Sequence, residues 1–360
     1  MGLILSGIVI AAQHDELSDG IERTDSMGCC LRAEHTVSPT PQAPADFRWG
    51  LVAYHVAFPS YDLRPEDFAL IAANGIGWLS VDFAWAKIEP IQNGGYDFSY
   101  FDMIVAEAER HGIEVMAKLG SGYNGNRPIA PAWTRTLEPG AYISELKDYT
   151  EATVSRYRDH IKSWSLENEL NIPNVHTVIG WRNGIWLPSH IDQIMVTLSE
   201  TVRALDPTAE IVISVTPLTN YERSIERMSQ LIDYDTVGVH TYPAGFIPEP
   251  GLAKNVIGQI ERAQQASGGR EVIILETGFH TEGGDWNVHA QAEYIEAMTR
   301  ATIRAGAKGI FFYQLLDSPE ETGRERFFGL LTAEREPKPG WYRYGSVIEN
   351  HRAREALTWN

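Results

Sequence analysis

The chain lacks the cysteine pattern that would point to a disulfide framework or a zinc site. Its two cysteines, Cys29 and Cys30, are adjacent, and neither a set of bridges nor a metal-ligand spacing can be built from one such pair. It also lacks a run of Lys and Arg, and its 30 basic residues face 48 acidic ones, for a formal net charge of -18. Because such a chain repels a polyanion, we expect no nucleic-acid partner.

No apolar run is long enough to cross a bilayer, which takes about 20 residues. The stretch from Leu3 to Ala12 is shorter than that, so no membrane span is predicted. It could be the core of a secretory signal, although no Lys or Arg precedes it, and both a secreted and a cytoplasmic location stay open. From Gln13 to Ala45 the chain is polar and without periodicity. Residues 1–45 are therefore predicted to be a flexible segment.

From Phe47 onward, eight short apolar runs alternate with stretches that have helical spacing. This alternation over about 300 residues predicts a single (β/α)8 barrel, residues 46–350, followed by a C-terminal tail, residues 351–360. A doubly wound open sheet is the alternative. It would normally carry a glycine-rich turn after the first strand, and the segment from Ala53 to Phe58 contains no glycine.

Two of the predicted strands run directly into acidic residues. The stretch Trp164-Ser165-Leu166-Glu167-Asn168-Glu169-Leu170-Asn171 closes the fourth strand, and Ile274-Leu275-Glu276-Thr277-Gly278 closes the seventh. Active sites of such barrels gather at the C-terminal ends of the strands, so Glu169 and Glu276 are expected at the same mouth. Two carboxyl groups across one pocket indicate paired-carboxylate chemistry.

These two stretches resemble the acid/base and nucleophile motifs of the clan A glycoside hydrolases. Three further matches follow strands two, six and eight in the same order: Asp82-Phe83-Ala84-Trp85 with Ile88-Glu89-Pro90, His240-Thr241-Tyr242-Pro243, and Phe312-Tyr313-Gln314-Leu315-Leu316-Asp317. The resemblance extends over roughly residues 47–344 and implies a retaining glycosidase that acts on a carbohydrate substrate, most often β-linked. It implies no metal and no organic cofactor.

The resemblance also implies roles for individual residues. Glu276 would be the nucleophile, Glu169 the acid/base, and Asn168 the partner of the sugar 2-hydroxyl. Glu167 is the rival to Glu169, and its alternative role is that of a buried partner for a cation such as Lys118.

Other residues at predicted strand ends and in predicted loops are expected to contact the sugar. His55, Asp82, His240 and Tyr242 would bind hydroxyl groups, although each could instead be structural. Tyr313 could bond the nucleophile or pack in the barrel, and the first is favoured. Trp85 and Trp133 are expected to stack on a sugar ring, and three further tryptophans lie in or near predicted loops: Trp181, Trp186 and Trp286. The loops at residues 121–139 and 171–188 are predicted to shape subsites.

One departure from the clan keeps two other functions open. Many members carry on the second strand an arginine that hydrogen-bonds the nucleophile, and Ser80 stands there in this chain. Without another donor, Glu276 would ionise less readily, which leaves a sugar-binding barrel without turnover as an alternative. A metal-dependent barrel hydrolase that uses His55, Asp82 and His240 is a further alternative, but the first strand carries no His-X-His pair.

Overall fold

Eight parallel strands close into a barrel in chain order in the computed structural model, which describes residues 43–53, 62–120, 123–124, 127–128, 130–172, 188–245 and 247–358. The last strand pairs with the first, so the predicted (β/α)8 barrel is confirmed and the open-sheet alternative is wrong. The strands are β1 (Arg48–Ala53), β2 (Trp78–Asp82), β3 (Glu114–Leu119), β4 (Ser163–Leu166), β5 (Glu210–Val215), β6 (Thr236–His240), β7 (Glu271–Thr277) and β8 (Gly309–Tyr313).

Helices cover the outside of the barrel. They are α1 (Pro65–Ala73), α2 (Trp85–Ile88), α3 (Ser99–Arg110), α4 (Pro139–Tyr157), α5 (Pro188–Leu205), α6 (Tyr221–Leu231), α7 (Val256–Ala266), α8 (Val288–Arg304) and α9 (Pro339–Thr358). Local signals set several starts: α1 and α4 begin with proline, whose fixed φ suits the first helical position. No helix within the described ranges is long and apolar enough to span a membrane.

The final helix, α9, was not predicted from the sequence, and it packs where the barrel closes. The hydroxyl of Tyr344 donates to the backbone carbonyls of Gly50 on β1 and Ile310 on β8, at 3.2 and 3.3 Å. Farther along α9, His351 Nδ1 accepts a hydrogen bond from the backbone N–H of Ala43 at 3.4 Å. Contacts of the barrel therefore extend at least from Ala43 to His351.

Side chains alternate along each strand between two apolar environments. Outward residues pack under the helices in the main core, whereas inward residues form a second cluster inside the barrel: Val52, Met116, Val212, Ile273, Leu275 and Phe311, with Tyr313 and Phe328 above them. Gly50 has an inward position, and a Cβ there would lie 2.3 Å from the Phe311 ring. Glycine at this position leaves the room that the phenylalanine fills.

An ion pair lies below this apolar layer, at the N-terminal end of the barrel. Arg48 on β1 donates two hydrogen bonds of 2.9 Å to the Glu210 carboxylate on β5. Ser163 on β4 and Thr236 on β6 also donate to that carboxylate, at 2.7 and 2.6 Å. Because one carboxylate joins four strands, this network fixes the end of the barrel opposite to the mouth.

We predict that Glu210→Ala lowers the free energy of unfolding by about 3 kcal/mol, since it leaves a largely buried guanidinium and two hydroxyls without their acceptor. Urea unfolding followed by circular dichroism measures this. The control is Glu151→Ala, which breaks an exposed pair with Lys147 on α4 and should change stability by less than about 0.5 kcal/mol. Equal stability of the two variants would contradict the role given to Glu210.

Candidate active site

The C-terminal ends of the strands form a mouth lined by polar residues. Asp82 ends β2, His240 ends β6 and Tyr313 ends β8, and Lys118 is the penultimate residue of β3. Alternate residues of a strand point to the same side, and each of these four residues is in step with the inward residues of its strand. All four side chains therefore point into the barrel. The apolar interior layer closes the pocket from below.

Glu169 reaches the mouth from a turn and not from a strand, which corrects the sequence prediction. Strand β4 ends at Leu166, and the following Glu167 and Glu169 have left-handed φ values of 56° and 50°. The Glu167 N–H donates to the Leu119 carbonyl at 2.8 Å, and the Glu169 N–H donates to the Ser214 hydroxyl at 3.0 Å. The turn therefore carries Asn168 and Glu169 beyond the end of β4.

Glu276 reaches the same pocket through a bulge in β7. Leu275 lies inside the barrel, so in regular pairing the next side chain would point outward. The register with β6 shifts at this point, because Val239 pairs with Ile274 but His240 pairs with Glu276. Such an irregularity re-aims a side chain, and here it turns Glu276 into the mouth.

The two glutamates meet at His240. One oxygen of Glu169, one oxygen of Glu276 and one ring nitrogen of His240 all lie within 4.8 Å of one another. His240 Nδ1 lies 3.5 Å from Glu169 Oε1 and 3.4 Å from Glu276 Oε2. The pKa of His240 is lowered to about 4, chiefly by burial and also by the charge of Lys118, whereas the charges of Glu276 and Asp82 act in the opposite direction. The imidazole is therefore neutral between the two carboxyl groups at neutral pH.

The two carboxyl groups have different electrostatic surroundings. Burial raises the pKa of Glu169 to about 7, against the opposing charge of Lys118. Glu276 instead accepts a hydrogen bond of 2.5 Å from the Tyr242 hydroxyl on its Oε1. Burial, followed by the charge of Glu276, holds the pKa of Tyr242 well above its usual value, so the phenol keeps the proton that it donates. Near pH 7, Glu169 is therefore the carboxyl group that can carry a proton, and Glu276 is the one that accepts a hydrogen bond from Tyr242.

Lys118 is buried in the mouth and organises the residues around it. Its ammonium donates to Asn168 Oδ1 at 2.9 Å and lies 3.4 Å from Asp82 Oδ1. A cation beside the amide oxygen sets the orientation of the Asn168 side chain, because the amide NH2 would be repelled there. The Asn168 NH2 group is therefore the end left to donate elsewhere.

Trp85 does not fit its predicted role as a platform for a sugar. Its side chain is fully buried, its Nε1–H donates to Glu89 Oε2 at 2.9 Å, and its ring is stacked on Tyr149 with 5.3 Å between centroids. A ring covered in this way has no face left for a ligand. Trp133 is half-buried and lies edge-on against Trp85, so its stacking role stays a prediction.

The structure places some of the other predicted site residues and leaves others outside the residues that it describes. Tyr313 packs edge-on against Tyr242 and Phe328 at the mouth, and Trp286 is stacked on His280, with 3.9 Å between ring centroids. Glu167 is buried beside the residues of the mouth. Three further residues and most of the loop at 171–188 lie outside the described residues: His55, Trp181 and Trp186.

Two polar residues, Ser214 and Lys118, position other residues of the site, and the sequence analysis did not predict this role for either. Ser214 on β5 accepts from the Glu169 N–H, and Lys118 orients Asn168. Both lie at inward positions near the ends of barrel strands, two residues after an apolar inward residue, Val212 or Met116. A polar residue at such a position is the signal that could have marked them.

Comparison with known proteins gives one family match and several relatives. Residues 59–140 match the Glyco_hydro_42 family, described as beta-galactosidase. The chain is 26% identical over 140 residues to Beta-glucosidase 47 of Arabidopsis thaliana, an alignment that covers 37% of this chain and 25% of that protein. The chain thus spans 18 to 30% of the length of the curated relatives that it matches by sequence.

Two solved structures illustrate the similarity in fold. GH5_18 from Streptomyces cattleya, in complex with GlcNAc, superposes with a TM-score of 0.69 at 15% identity, over 87% of this chain and 81% of that chain. Beta-glucosidase from Thermotoga maritima, in complex with cyclophellitol, superposes with a TM-score of 0.65 at 14% identity, over 86% of this chain and 99% of that chain. At this level of identity the likeness shows a shared fold.

We predict that Lys118→Met raises the pKa of Glu169 above 7, because the ammonium charge is what opposes the effect of burial on this carboxyl group. Carbon-13 NMR of glutamate-labelled protein over a pH series measures the titration, with Glu169→Gln used to assign the signal. The control is Lys147→Met, which removes an exposed lysine of α4. A Glu169 titration that is the same in both lysine variants would show that Lys118 does not act on this group.

Proposed function

The chain is related to the clan A glycoside hydrolases, and from this premise we propose that it is a retaining glycosidase that cleaves β-linked O-glycosides. The observation that carries the proposal is the pair of facing carboxyl groups, with oxygens of Glu169 and Glu276 within 4.8 Å of each other. Retaining enzymes need carboxyl groups about 5 to 5.5 Å apart, whereas inverting enzymes need about 6.5 to 9.5 Å to admit a water. The separation supports direct attack on the sugar.

The surroundings of Glu276 suit a nucleophile. Tyr242 hydrogen-bonds Oε1, whereas Oε2 is buried and has no hydrogen-bond partner among the described residues. In the first step Oε2 forms a bond to the anomeric carbon, the bond from that carbon to the leaving oxygen breaks, and the Glu169 proton passes to that oxygen. The Tyr242 donor stabilises the carboxylate before attack, in place of the arginine that Ser80 replaces.

The surroundings of Glu169 suit an acid that becomes a base. A carboxyl group with a pKa of about 7 is about half protonated at neutral pH and mostly protonated about one pH unit below it. Once Glu276 is esterified it carries no charge, so the pKa of Glu169 falls and the group can take a proton from water. That water then attacks the anomeric carbon and the ester bond to Glu276 breaks, which returns the original configuration.

Residues around the pair would bind the sugar hydroxyls. Asn168, oriented by Lys118, would donate its amide to the 2-hydroxyl, a contact that strengthens as the ring approaches an oxocarbenium ion. Asp82 Oδ2 is buried and also lacks a hydrogen-bond partner within the described part of the chain, and an acceptor of this kind suits a hydroxyl. The substrate class that these groups fit is a carbohydrate, with no role for nucleic acid.

A metal-dependent hydrolase is the second candidate, because the cluster of Glu169, His240 and Glu276 offers three ligand atoms within 4.8 Å of one another. Zinc binds carboxylate oxygen and imidazole nitrogen. The two carboxyl groups differ, because burial raises the pKa of Glu169 whereas Glu276 accepts a hydrogen bond from Tyr242. This difference favours the glycosidase, since a metal would use both groups as ionised ligands. A sugar-binding barrel without turnover is the third candidate, and assays of the wild-type protein separate the three.

We predict that wild-type protein hydrolyses an aryl β-glycoside, in a screen across the common sugars, with net retention. Proton NMR should detect the β-anomer first, before mutarotation. Glu276→Gln should lower kcat by about 1,000-fold or more, because no covalent intermediate can form. Glu271→Gln is the matched control, since it lies on the same strand at its exposed end, and it should leave kcat unchanged.

Each other outcome of these assays points to a different function. Release of the α-anomer first would contradict the two-step mechanism. Loss of hydrolysis with EDTA and recovery with Zn²⁺ would favour the metal-dependent hydrolase. Binding of a sugar without hydrolysis, by isothermal calorimetry, would favour the barrel without turnover.

We predict that kcat/KM falls as the pH rises through about 7. The pKa of Glu169 is raised to about 7, and the proton that it must donate is lost above that pH. The basic limb of the pH profile of kcat/KM reports this group in the free enzyme. A profile that stays flat to pH 9 would be incompatible with Glu169 as the acid.

A further inference from the structure

The turn that carries Glu169 adopts a conformation that its own residues do not favour. Glu167 and Glu169 have φ values of 56° and 50°, in the left-handed region where a side chain with a Cβ is disfavoured. Neither position is a glycine. Such a conformation persists only where surrounding contacts impose it, so contacts outside the turn must hold it.

The hydroxyl of Ser214 makes two of these contacts. Ser214 is fully buried near the end of β5, the strand next to β4. Its Oγ accepts a hydrogen bond from the Glu169 N–H at 3.0 Å and donates one to the Glu167 carbonyl at 3.1 Å. One hydroxyl thus joins both left-handed residues and spans Asn168 between them.

The backbone of β5 and the loop after it fasten the far side of the turn. The Leu170 N–H donates to the Ser214 carbonyl at 3.1 Å. The Asn171 amide then donates to the Thr216 carbonyl and accepts from the Thr216 N–H, at 2.6 and 2.9 Å. It also donates to the Thr219 hydroxyl at 2.6 Å. These contacts lie beyond Glu169, whereas the Ser214 hydroxyl bonds the backbone of both left-handed residues directly.

We propose that Ser214 is a positioning residue for the acid/base Glu169. The proposal rests on the proposed glycosidase function and adds a group that touches neither the sugar nor the reacting atoms. Without the hydroxyl, the Glu169 N–H loses its acceptor and the Glu167 carbonyl loses its donor. The turn then relaxes toward ordinary backbone angles and the carboxyl group moves from its place opposite Glu276. The nucleophile is held by β7 and Tyr242, and it keeps its position.

Because Ser214 is proposed to position Glu169 and not Glu276, its loss should affect only substrates whose leaving group needs a proton. A 2,4-dinitrophenyl group leaves without protonation, whereas a phenyl group of the same β-glycoside needs a proton from Glu169. For Ser214→Ala we expect kcat/KM for release of the phenyl group to fall by about 100-fold, the size of effect that a misplacement of about 1 Å produces. We expect kcat/KM for the dinitrophenyl glycoside to change by less than about 3-fold, since glycosylation then needs only the nucleophile.

Three further variants accompany Ser214→Ala. Ser165→Ala removes a hydroxyl of the same size from β4, at a buried position where the oxygen has no hydrogen-bond partner within the described ranges. It should leave both rates unchanged. Glu169→Ala should give the same leaving-group selectivity as Ser214→Ala, but larger. Circular dichroism checks that each variant is folded, and Asn171→Ala, which loosens the other anchor of the turn, should give a weaker form of the same selectivity.

The outcomes separate this inference from the function on which it depends. An equal fall for both substrates in Ser214→Ala, or no fall in either, overturns the positioning role, even where Glu169→Ala shows the selectivity. If Ser214→Ala does not fold, Ser214→Cys takes its place, because a thiol is a much weaker hydrogen-bonding group than a hydroxyl, and an equal change for both substrates, or none, overturns the role. Failure of the wild type to release either leaving group overturns the glycosidase function itself.

Discussion

One carboxyl oxygen of Glu169 lies within 4.8 Å of one of Glu276, so the two groups cannot both be charged without mutual repulsion. The rest of the site follows from this constraint. Burial favours the protonated form of Glu169, while the Tyr242 hydroxyl supplies a donor to Glu276. His240 lies between them and stays neutral, because burial lowers its pKa to about 4. A charged imidazole there would favour ionisation of both acids and remove the difference between them.

The barrel makes this asymmetry possible because it closes the pocket from below. An apolar layer that includes Met116, Val212 and Phe311 fills the interior beneath the mouth, and the Arg48–Glu210 pair fixes the opposite end. Among the described residues, this layer separates the carboxyl groups from the opposite end of the barrel. A carboxyl group that is covered on its inner side loses solvation of its charged form, which is the cause of the raised pKa of Glu169.

The sequence predicted the barrel because a strand period of two and a helical period of 3.6 are visible in the chain itself. It also predicted that Glu169 and Glu276 meet at one mouth, as they do in the structure, since motif order along the chain maps onto strand order. The sequence did not predict the backbone conformations that direct these side chains into the mouth. The bulge before Glu276 and the left-handed turn at Glu169 arise from pairing with neighbouring strands, which no local pattern encodes. Trp85 was assigned to the ligand because the sequence gives its place in a loop but not the Tyr149 ring that covers it.

Position 80 is a serine in this chain, where the resemblance to clan A would lead us to expect an arginine. Ser80 is buried at an inward position of β2, and Lys118 enters the mouth from the adjacent strand β3. A cation on β2 that bonded the nucleophile would stabilise its charge directly. Lys118 instead contacts Asn168 and Asp82 and lowers the pKa of Glu169. The cation therefore acts on Glu169 and a neutral phenol acts on Glu276, so a serine at position 80 is compatible with the roles proposed for the two carboxyl groups.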